Sequence, residues 1–139
     1  GSRLEQYKAS VANFGLKGQV EFTGWLSNCE IQKLVAQSNL GLFPSRIESF
    51  GLSVVEAMAA GLPIVTASGG AIPENVKDGI TGMLVPINNI DALTKAIISA
   101  LENPQRAESL AKAAKMEVQK KFIWDKTADS VINLYQSAL

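Results

Sequence analysis

The stretch "LGLFPSRIESFGLSVVEAMAAGLPIVTA", residues 40–67, decides the fold predicted for this chain. Its first four residues, "LGLF", form a short apolar strand that ends before Pro44. A helix is predicted from about Leu52 to Ala60, because Gly61 follows the apolar run and glycine commonly ends helices. "PIVTA", residues 63–67, is the next strand. Strand, helix and strand in this order predict a parallel sheet.

The alternation continues on both sides of this stretch. The upstream pattern predicts a helix at 3–14, a strand at 19–24 ("QVEFTG"), and a helix that runs to about Ser38 from a capping box, "SNCE", at 27–30. Downstream, glycine-rich turns around a short helical piece lead to further elements: a strand at 82–85 and helices at 91–101, 104–121 with Asn103 as its cap, and 124–138. The sequence therefore predicts one α/β domain with a parallel sheet flanked by helices.

Composition excludes several classes of function. The 139 residues include 13 Lys plus Arg and 13 Asp plus Glu, so there is no electrostatic footprint for nucleic acid, and no apolar run is long enough to span a membrane. The single cysteine, Cys29, excludes an internal disulfide and favours the cytoplasm. With one cysteine and no histidine, the sequence disfavours a zinc site, and the usual general base is missing. Chemistry must rely on carboxylates and backbone groups.

Three unusual segments follow predicted strands. They are "GWLS" at 24–27, "PSRIESFG" at 44–51 and "SGGAIPE" at 68–74. Open α/β sheets bind ligands outside the carboxyl ends of their strands. We therefore expect the three segments to form a ligand site at one edge of the sheet.

The segment "ESFGLSVVE" has the chemistry of an anion site. Gly51 lets the backbone approach a ligand, and the amides of residues 50–53 open a helix whose dipole favours phosphate. Glu56, about one turn further, can accept hydrogen bonds from a vicinal diol such as ribose. Glu48 would face sugar hydroxyls beyond the phosphates. The pattern suits a nucleotide diphosphate sugar.

Each of these residues also has a purely structural explanation. Glu56 could complement the helix dipole and Glu48 could be a solvated loop residue, although the apolar neighbours of Glu56 leave no polar face to explain it. Glu74 is expected to be structural or to support ligand-binding residues without touching the ligand itself. Trp25 is expected to be a partly buried packing residue, with base stacking as the alternative, and Cys29 a small apolar filler.

Residues 42–85, "LFPSRIESFGLSVVEAMAAGLPIVTASGGAIPENVKDGITGMLV", resemble the donor-binding region of retaining glycosyltransferases with the GT-B fold, called family 4 or group 1. The resemblance extends to "VEFTGWLS" at 20–27 and "FIWDKTADSVINLY" at 122–135, and so covers nearly the whole chain. Two glutamates separated by seven residues are a weak motif alone, but these segments in this order are specific. The resemblance implies a Rossmann-like parallel sheet flanked by helices, one half of a GT-B fold.

The resemblance also implies roles for single residues. Glu48 would be the catalytic residue in contact with the transferred sugar, and Glu56 would bind the ribose hydroxyls. The backbone near Leu26 would read the base edge. Sugar and diphosphate would be held by Ser49, Phe50, Gly51, Leu52 and Ser53. The expected ligand is a nucleotide diphosphate sugar, which is the donor substrate. The related enzymes are metal-independent, so no metal and no other cofactor is expected.

The chain also departs from the family. Members carry an Arg and a Lys for the pyrophosphate in the first strand-helix unit of this domain, with an acceptor domain before it. Neither the Arg nor the Lys matches a position in this chain, and Arg46 does not take their place. We therefore expect residues 1–139 to be part of a C-terminal nucleotide-sugar-binding domain, with the N-terminal acceptor domain as its missing partner, and to be inactive alone.

The expected function is the donor half of a hexosyltransferase that acts on a glycan or lipid-linked acceptor with retention, in cytoplasmic polysaccharide biosynthesis. Peripheral membrane association of the full-length protein stays open. Two alternatives are a nucleotide-sugar-binding module without turnover and a GT-B nucleotide-sugar epimerase. Both glutamates are present, which disfavours the first, and the lack of histidine disfavours the second.

Overall fold

The computed structural model describes residues 3–137. The chain divides into two compact units at Ile31 and Gln32. In chain order, the helices and strands are α1 Leu4–Asn13, α2 Asn28–Gln37, β1 Gly41–Phe43, α3 Leu52–Ala60, β2 Ile64–Ala67, α4 Ile72–Asn75, β3 Met83–Val85, α5 Ile90–Glu102, α6 Pro104–Lys121 and α7 Trp124–Ser137.

The second unit contains the parallel sheet that the sequence predicts. Its three strands lie in the order β1-β2-β3, with Phe43 beside Thr66 and Ala67 beside Val85. All four residues of the central strand β2 are buried, as expected for a parallel strand covered on both faces. The predicted α/β fold with a parallel sheet flanked by helices is confirmed.

Two apolar clusters cover the two faces of the sheet. The first joins β2 to α3 and α6 through residues such as Met58, Ile64, Ala114 and Val118. The second joins β2 and β3 to α5 and α6 through Val65, Val85, Ala100 and Ala107. Neighbouring residues of β2 therefore point to opposite faces, as strand geometry requires.

Glycines mark both ends of α3. Gly51 and Gly61 have φ angles of 80° and 83°, in the left-handed region that glycine tolerates. The Gly61 N–H donates to the Met58 carbonyl at 3.0 Å, which ends the helix where the sequence predicts. The cap predicted for α6 is different in detail. Asn103 occupies the cap position, but its side-chain N–H donates back to the Ser99 carbonyl at 3.1 Å, because this residue also ends α5.

The first unit confirms one prediction and corrects another. Ser27 and Glu30 form the capping box, with the Ser27 N–H donating to the Glu30 carboxylate at 2.8 Å and the Glu30 N–H donating to the Ser27 hydroxyl at 3.4 Å. The predicted strand at 19–24 is wrong. Its residues are irregular and exposed, and within residues 3–137 they pair with no strand.

Two packing predictions in this region are also wrong. Trp25 is 88% exposed and Cys29 is exposed in the first turn of α2, so neither fills a core. At the other end of the chain, α7 begins at Trp124 as predicted, and the predicted last residue, Ala138, lies outside the described residues. None of the helices in the described part of the chain is long and apolar enough to cross a bilayer.

Candidate functional site

Two of the three predicted segments meet at the carboxyl edge of the sheet. Residues 44–51 follow β1 and residues 68–71 follow β2. The Ala71 N–H donates to the Glu48 carbonyl at 2.9 Å. A Cβ atom on Gly69 would lie 2.3 Å from the Arg46 carbonyl oxygen, and one on Gly70 would lie 2.1 Å from that of Glu48. The glycine pair therefore lets the turn pack directly on the loop backbone. The third segment, 24–27, follows no strand and belongs to the first unit.

The start of α3 presents backbone amides without intrachain partners. The Gly51 carbonyl accepts hydrogen bonds from the Val54 and Val55 amides, both at 3.0 Å, and so closes the first turn. In the part of the chain that the structure describes, the amides of residues 50–53 donate no hydrogen bond to another protein group. Leu52 and Ser53 are exposed. Unpaired amides at a helix start, together with the helix dipole, form a binding site for an anion.

The structure gives a second explanation for glycine at position 51. The residue is buried, and a Cβ atom here would lie 2.5 Å from Cδ1 of Ile72, a core residue that is 1% exposed. Its positive φ is a second reason for glycine. Gly51 is therefore required by backbone conformation and packing, whereas close approach of a ligand is not needed to explain it.

The two glutamates differ in their surroundings. Glu48 is half-buried in the loop, while Glu56 lies on the exposed face of α3 with Leu52, Ser53, Ala59 and Ala60. Glu56 reaches solvent because its apolar sequence neighbours turn to the core at about 100° per residue, and the exposed face that it shares is itself mainly apolar. Within residues 3–137 neither carboxylate has a hydrogen-bonding or ionic partner, and no three His, Cys, Asp or Glu side chains group as metal ligands. Both carboxylates can accept hydrogen bonds from a ligand.

A partly buried network around Asn75 holds the loop from behind, and the sequence did not reveal it. The Asn75 side-chain N–H donates to the Phe50 carbonyl at 2.7 Å. The Lys121 ammonium donates to the Glu74 carbonyl at 2.9 Å and to the Asn75 side-chain oxygen at 3.2 Å. The Phe50 ring meets the Phe122 ring edge-to-face, with centroids 5.6 Å apart. These partners are 25 to 72 residues apart in the chain, so no local pattern predicts them.

A separate cavity of about 200 Å³ lies at the carboxyl ends of all three strands. Arg46 lines it with residues that follow β3 and begin α5. None of the residues predicted to bind the donor lines this cavity. Its lining consists of Pro44, Arg46, Ala67, Val85, Pro86, Asn88, Asn89, Ile90 and Leu93.

The fold and the site define a class. A parallel sheet with unpaired helix-start amides at its carboxyl edge is the arrangement of α/β proteins that bind nucleotides. The chain belongs to the family described as glycosyl transferases group 1, whose profile matches residues 1–138.

Relatives with curated descriptions agree with this family. An uncharacterized glycosyltransferase of Methanocaldococcus jannaschii is 31% identical over 125 residues, which cover 90% of this chain and 32% of the relative. A glycogen synthase of Mycobacterium tuberculosis is 33% identical over 117 residues, covering 84% of this chain and 28% of the relative. The chain thus spans about a third of the length of the curated relatives it matches.

Solved structures share the fold. The sucrose-phosphate synthase of Thermosynechococcus elongatus superimposes with a TM-score of 0.88 at 30% identity, over 99% of this chain and 35% of that one. HepE of Anabaena, solved in complex with UDP-glucose, has a TM-score of 0.85 at 28% identity, over 98% of this chain and 37% of that one. The fold is therefore one half of the GT-B fold, as the resemblance implied.

Proposed function

We propose that this chain binds a nucleotide diphosphate sugar at the carboxyl edge of its sheet. The observation that carries the proposal is the start of α3, where four amides without intrachain acceptors stand between Glu48 and Glu56. Amides and a helix dipole suit a diphosphate, and carboxylates on either side suit hydroxyl groups of a sugar and a ribose. The UDP-glucose complex of HepE is consistent with this ligand class.

The proposal assigns a role to each residue of the site. Glu48 contacts the transferred hexose as the catalytic residue, and Glu56 accepts hydrogen bonds from the ribose hydroxyls. The backbone near Leu26 reads the base edge. Sugar and diphosphate are held by Ser49 and by the amides of Phe50, Gly51, Leu52 and Ser53. Since the amides and the helix dipole supply positive potential, we propose that donor binding needs no metal.

We propose that the chain is the donor-binding part of a longer family 4 enzyme, which transfers a hexose with retention. The acceptor is a glycan or a lipid-linked molecule, and the reaction belongs to cytoplasmic polysaccharide biosynthesis. Support comes from the family and from relatives such as glycogen synthase. Departure of the diphosphate needs charged donors, and the family's Arg and Lys match no position in this chain. This chain alone is therefore proposed to bind donor without transferring sugar.

Calorimetry with UDP-, GDP- and ADP-glucose, each in the presence of EDTA, tests the binding proposal. We expect saturable binding of at least one of the three. Glu56→Gln should weaken it, whereas Glu102→Gln, which changes an exposed acid at the end of α5, should not. No binding of any of the three by the folded chain would contradict the proposal.

A further inference from the structure

Asn75, the last residue of α4, carries its side-chain amide into the protein interior. The residue is only 8% exposed. A buried amide is costly unless its groups find partners. Here the N–H donates to the Phe50 carbonyl at 2.7 Å and the oxygen accepts from the Lys121 ammonium at 3.2 Å. Asn75 therefore connects α4 and the end of α6 to the loop that precedes α3.

The two partners allow only one orientation of this amide. An ammonium group only donates hydrogen bonds and a carbonyl only accepts them, so a flipped amide would face donor with donor and acceptor with acceptor. Lys121 is itself held in place, since it donates to the Glu74 carbonyl at 2.9 Å and lies 5.1 Å from the centre of the Phe122 ring. The N–H of Asn75 is thereby directed at Phe50.

Fixing the Phe50 carbonyl also fixes the Gly51 amide. No peptide bond in the described residues is cis, and the carbonyl and N–H of a trans peptide point in opposite directions. With the Phe50 carbonyl turned toward Asn75, the Gly51 N–H must point away from it. Glycine tolerates positive and negative φ equally, so the backbone at Gly51 would not by itself prevent this peptide from flipping.

We infer that Asn75 is a positioning residue, which keeps the Gly51 N–H directed at the diphosphate of the donor. This inference rests on the proposed function. The Phe50 ring is held separately by Phe122, at 5.6 Å between centroids. Loss of the Asn75 hydrogen bond therefore releases the peptide while Phe50 stays in place. Loss of this hydrogen bond should therefore weaken binding of the diphosphate and leave binding of the nucleoside unchanged.

The test uses Asn75→Leu, a neutral side chain of similar size that has no N–H to donate to Phe50 and adds no charge near the diphosphate. Affinity is measured by ligand-observed NMR for whichever of UDP, GDP and ADP the wild-type chain binds best, and for the matching nucleoside. We expect about tenfold weaker binding of the diphosphate, the typical cost of one lost hydrogen bond to a buried group, and unchanged binding of the nucleoside.

Thr66→Val is the matched control. Thr66 is fully buried and its hydroxyl donates to the Phe43 carbonyl at 3.1 Å, so the variant loses a comparable hydrogen bond outside the loop. We expect a lower melting temperature with affinity within twofold of wild type. Lys121→Met provides a second variant in case Asn75→Leu does not fold. It leaves the asparagine N–H present but free to turn, and should weaken diphosphate binding less than Asn75→Leu.

Several results separate this inference from the proposed function. If wild type binds and each folded variant binds the diphosphate within twofold of wild type, the inference is overturned alone. An equal loss for diphosphate and nucleoside would also overturn it, because that pattern reports general disruption. If the wild-type chain binds no nucleoside diphosphate, the proposed function itself fails and the inference with it.

Discussion

Glu48 and Glu56 are the two residues on which the proposed chemistry depends most. Glu56 lies on the exposed face of α3 and Glu48 is half-buried in the loop before it. Neither has a partner in residues 3–137 that would explain it as part of the scaffold. Replacing either acid with its amide should therefore report on the ligand and leave the stability of the fold almost unchanged.

We predict that Glu56→Gln weakens binding of a nucleoside diphosphate more than Glu48→Gln does. The ligand has a ribose but no transferred sugar, so only Glu56 should lose a charge-assisted hydrogen bond, worth about 1.5 to 3 kcal/mol. Calorimetry with the diphosphate checks this, with melting temperatures near wild type as the control for folding. Equal and unchanged affinity in the two variants would contradict the ribose role.

At the scale of residues, the sequence indicates which positions matter but not what surrounds each side chain. Trp25 and Cys29 were predicted to pack, yet both are exposed, because hydrophobicity alone does not say which side chains find a neighbour. Close approach of a ligand to Gly51 stays a prediction, and its φ and the adjacent Ile72 give a further reason for glycine that the sequence does not show. The role of Asn75 depends on a carbonyl 25 residues away in the chain.

At the scale of elements, the contact between the turn after β2 and the loop after β1 shapes the site. Gly69 and Gly70 lie so close to the loop backbone that any side chain would displace it. The sequence shows this pair only as a weak turn signal, since its partner, residues 46–48, lies about twenty positions earlier. The glycines are needed for packing between two segments.

We predict that Gly70→Ala loses more affinity for a nucleoside diphosphate sugar than Gly79→Ala. The φ angles are similar, 58° and 67°, so both variants carry a left-handed strain of about 1 to 2 kcal/mol. A Cβ at Gly79 meets nothing within 4 Å, whereas one at Gly70 lies 2.1 Å from the Glu48 carbonyl oxygen and must move the loop. Thermal melts and calorimetry on both variants measure this. Identical affinities would show that the turn does not position Glu48.

The capping box of α2 should make the stability of that helix depend on pH. Hydrogen bonds from the Ser27 hydroxyl, at 2.5 Å, and from the Ser27 N–H hold the pKa of the Glu30 carboxyl below its ordinary value. A pKa that is lower in the folded than in the unfolded chain stabilises the fold at higher pH. This contribution is fully present above the ordinary pKa of a glutamate and is lost as the pH falls through the lowered pKa of the folded chain.

Carboxyl chemical shifts recorded from pH 6 to pH 2 would measure this pKa. We expect the pKa of Glu30 to lie below the ordinary value of a glutamate, and Ser27→Ala to raise it toward that value. In Glu30→Gln, the stability of α2 should fall less as the pH is lowered than it does in the wild-type chain. A Glu30 that titrates at the ordinary pKa of a glutamate in the wild-type chain would contradict the capping-box explanation.

Elements with local end signals were predicted well. The bounds of α3 match the structure, since Gly61 ends the helix by its own conformation, and the β1–α3–β2 alternation gives the parallel order of the strands. The predicted strand at 19–24 failed because alternation describes a strand able to pair but does not supply its partner. Two of the three segments expected at the sheet edge are therefore found together, and the third follows no strand.

At the scale of the whole molecule, the family and the fold are established and the reaction remains a proposal. The chain spans about a third of its curated relatives, so transfer is expected to need more than these residues. We predict that the folded chain binds donor but neither hydrolyses it nor transfers sugar, in a direct comparison with the longer protein that contains it. Turnover by the chain at a rate near that of the longer protein would contradict the claim that these residues bind the donor but do not transfer the sugar.

The central claim is that the diphosphate binds at the start of α3, and amide chemical shifts during a titration test it most directly. The ¹H–¹⁵N spectrum of this chain would be followed as UDP, GDP or ADP is added. We expect the largest changes at the amides of Phe50, Gly51, Leu52 and Ser53, with smaller ones at Ala71, which is hydrogen-bonded to Glu48. Changes centred instead on Asn88 and Asn89 beside the separate cavity, or none at saturating nucleotide, would contradict the claim.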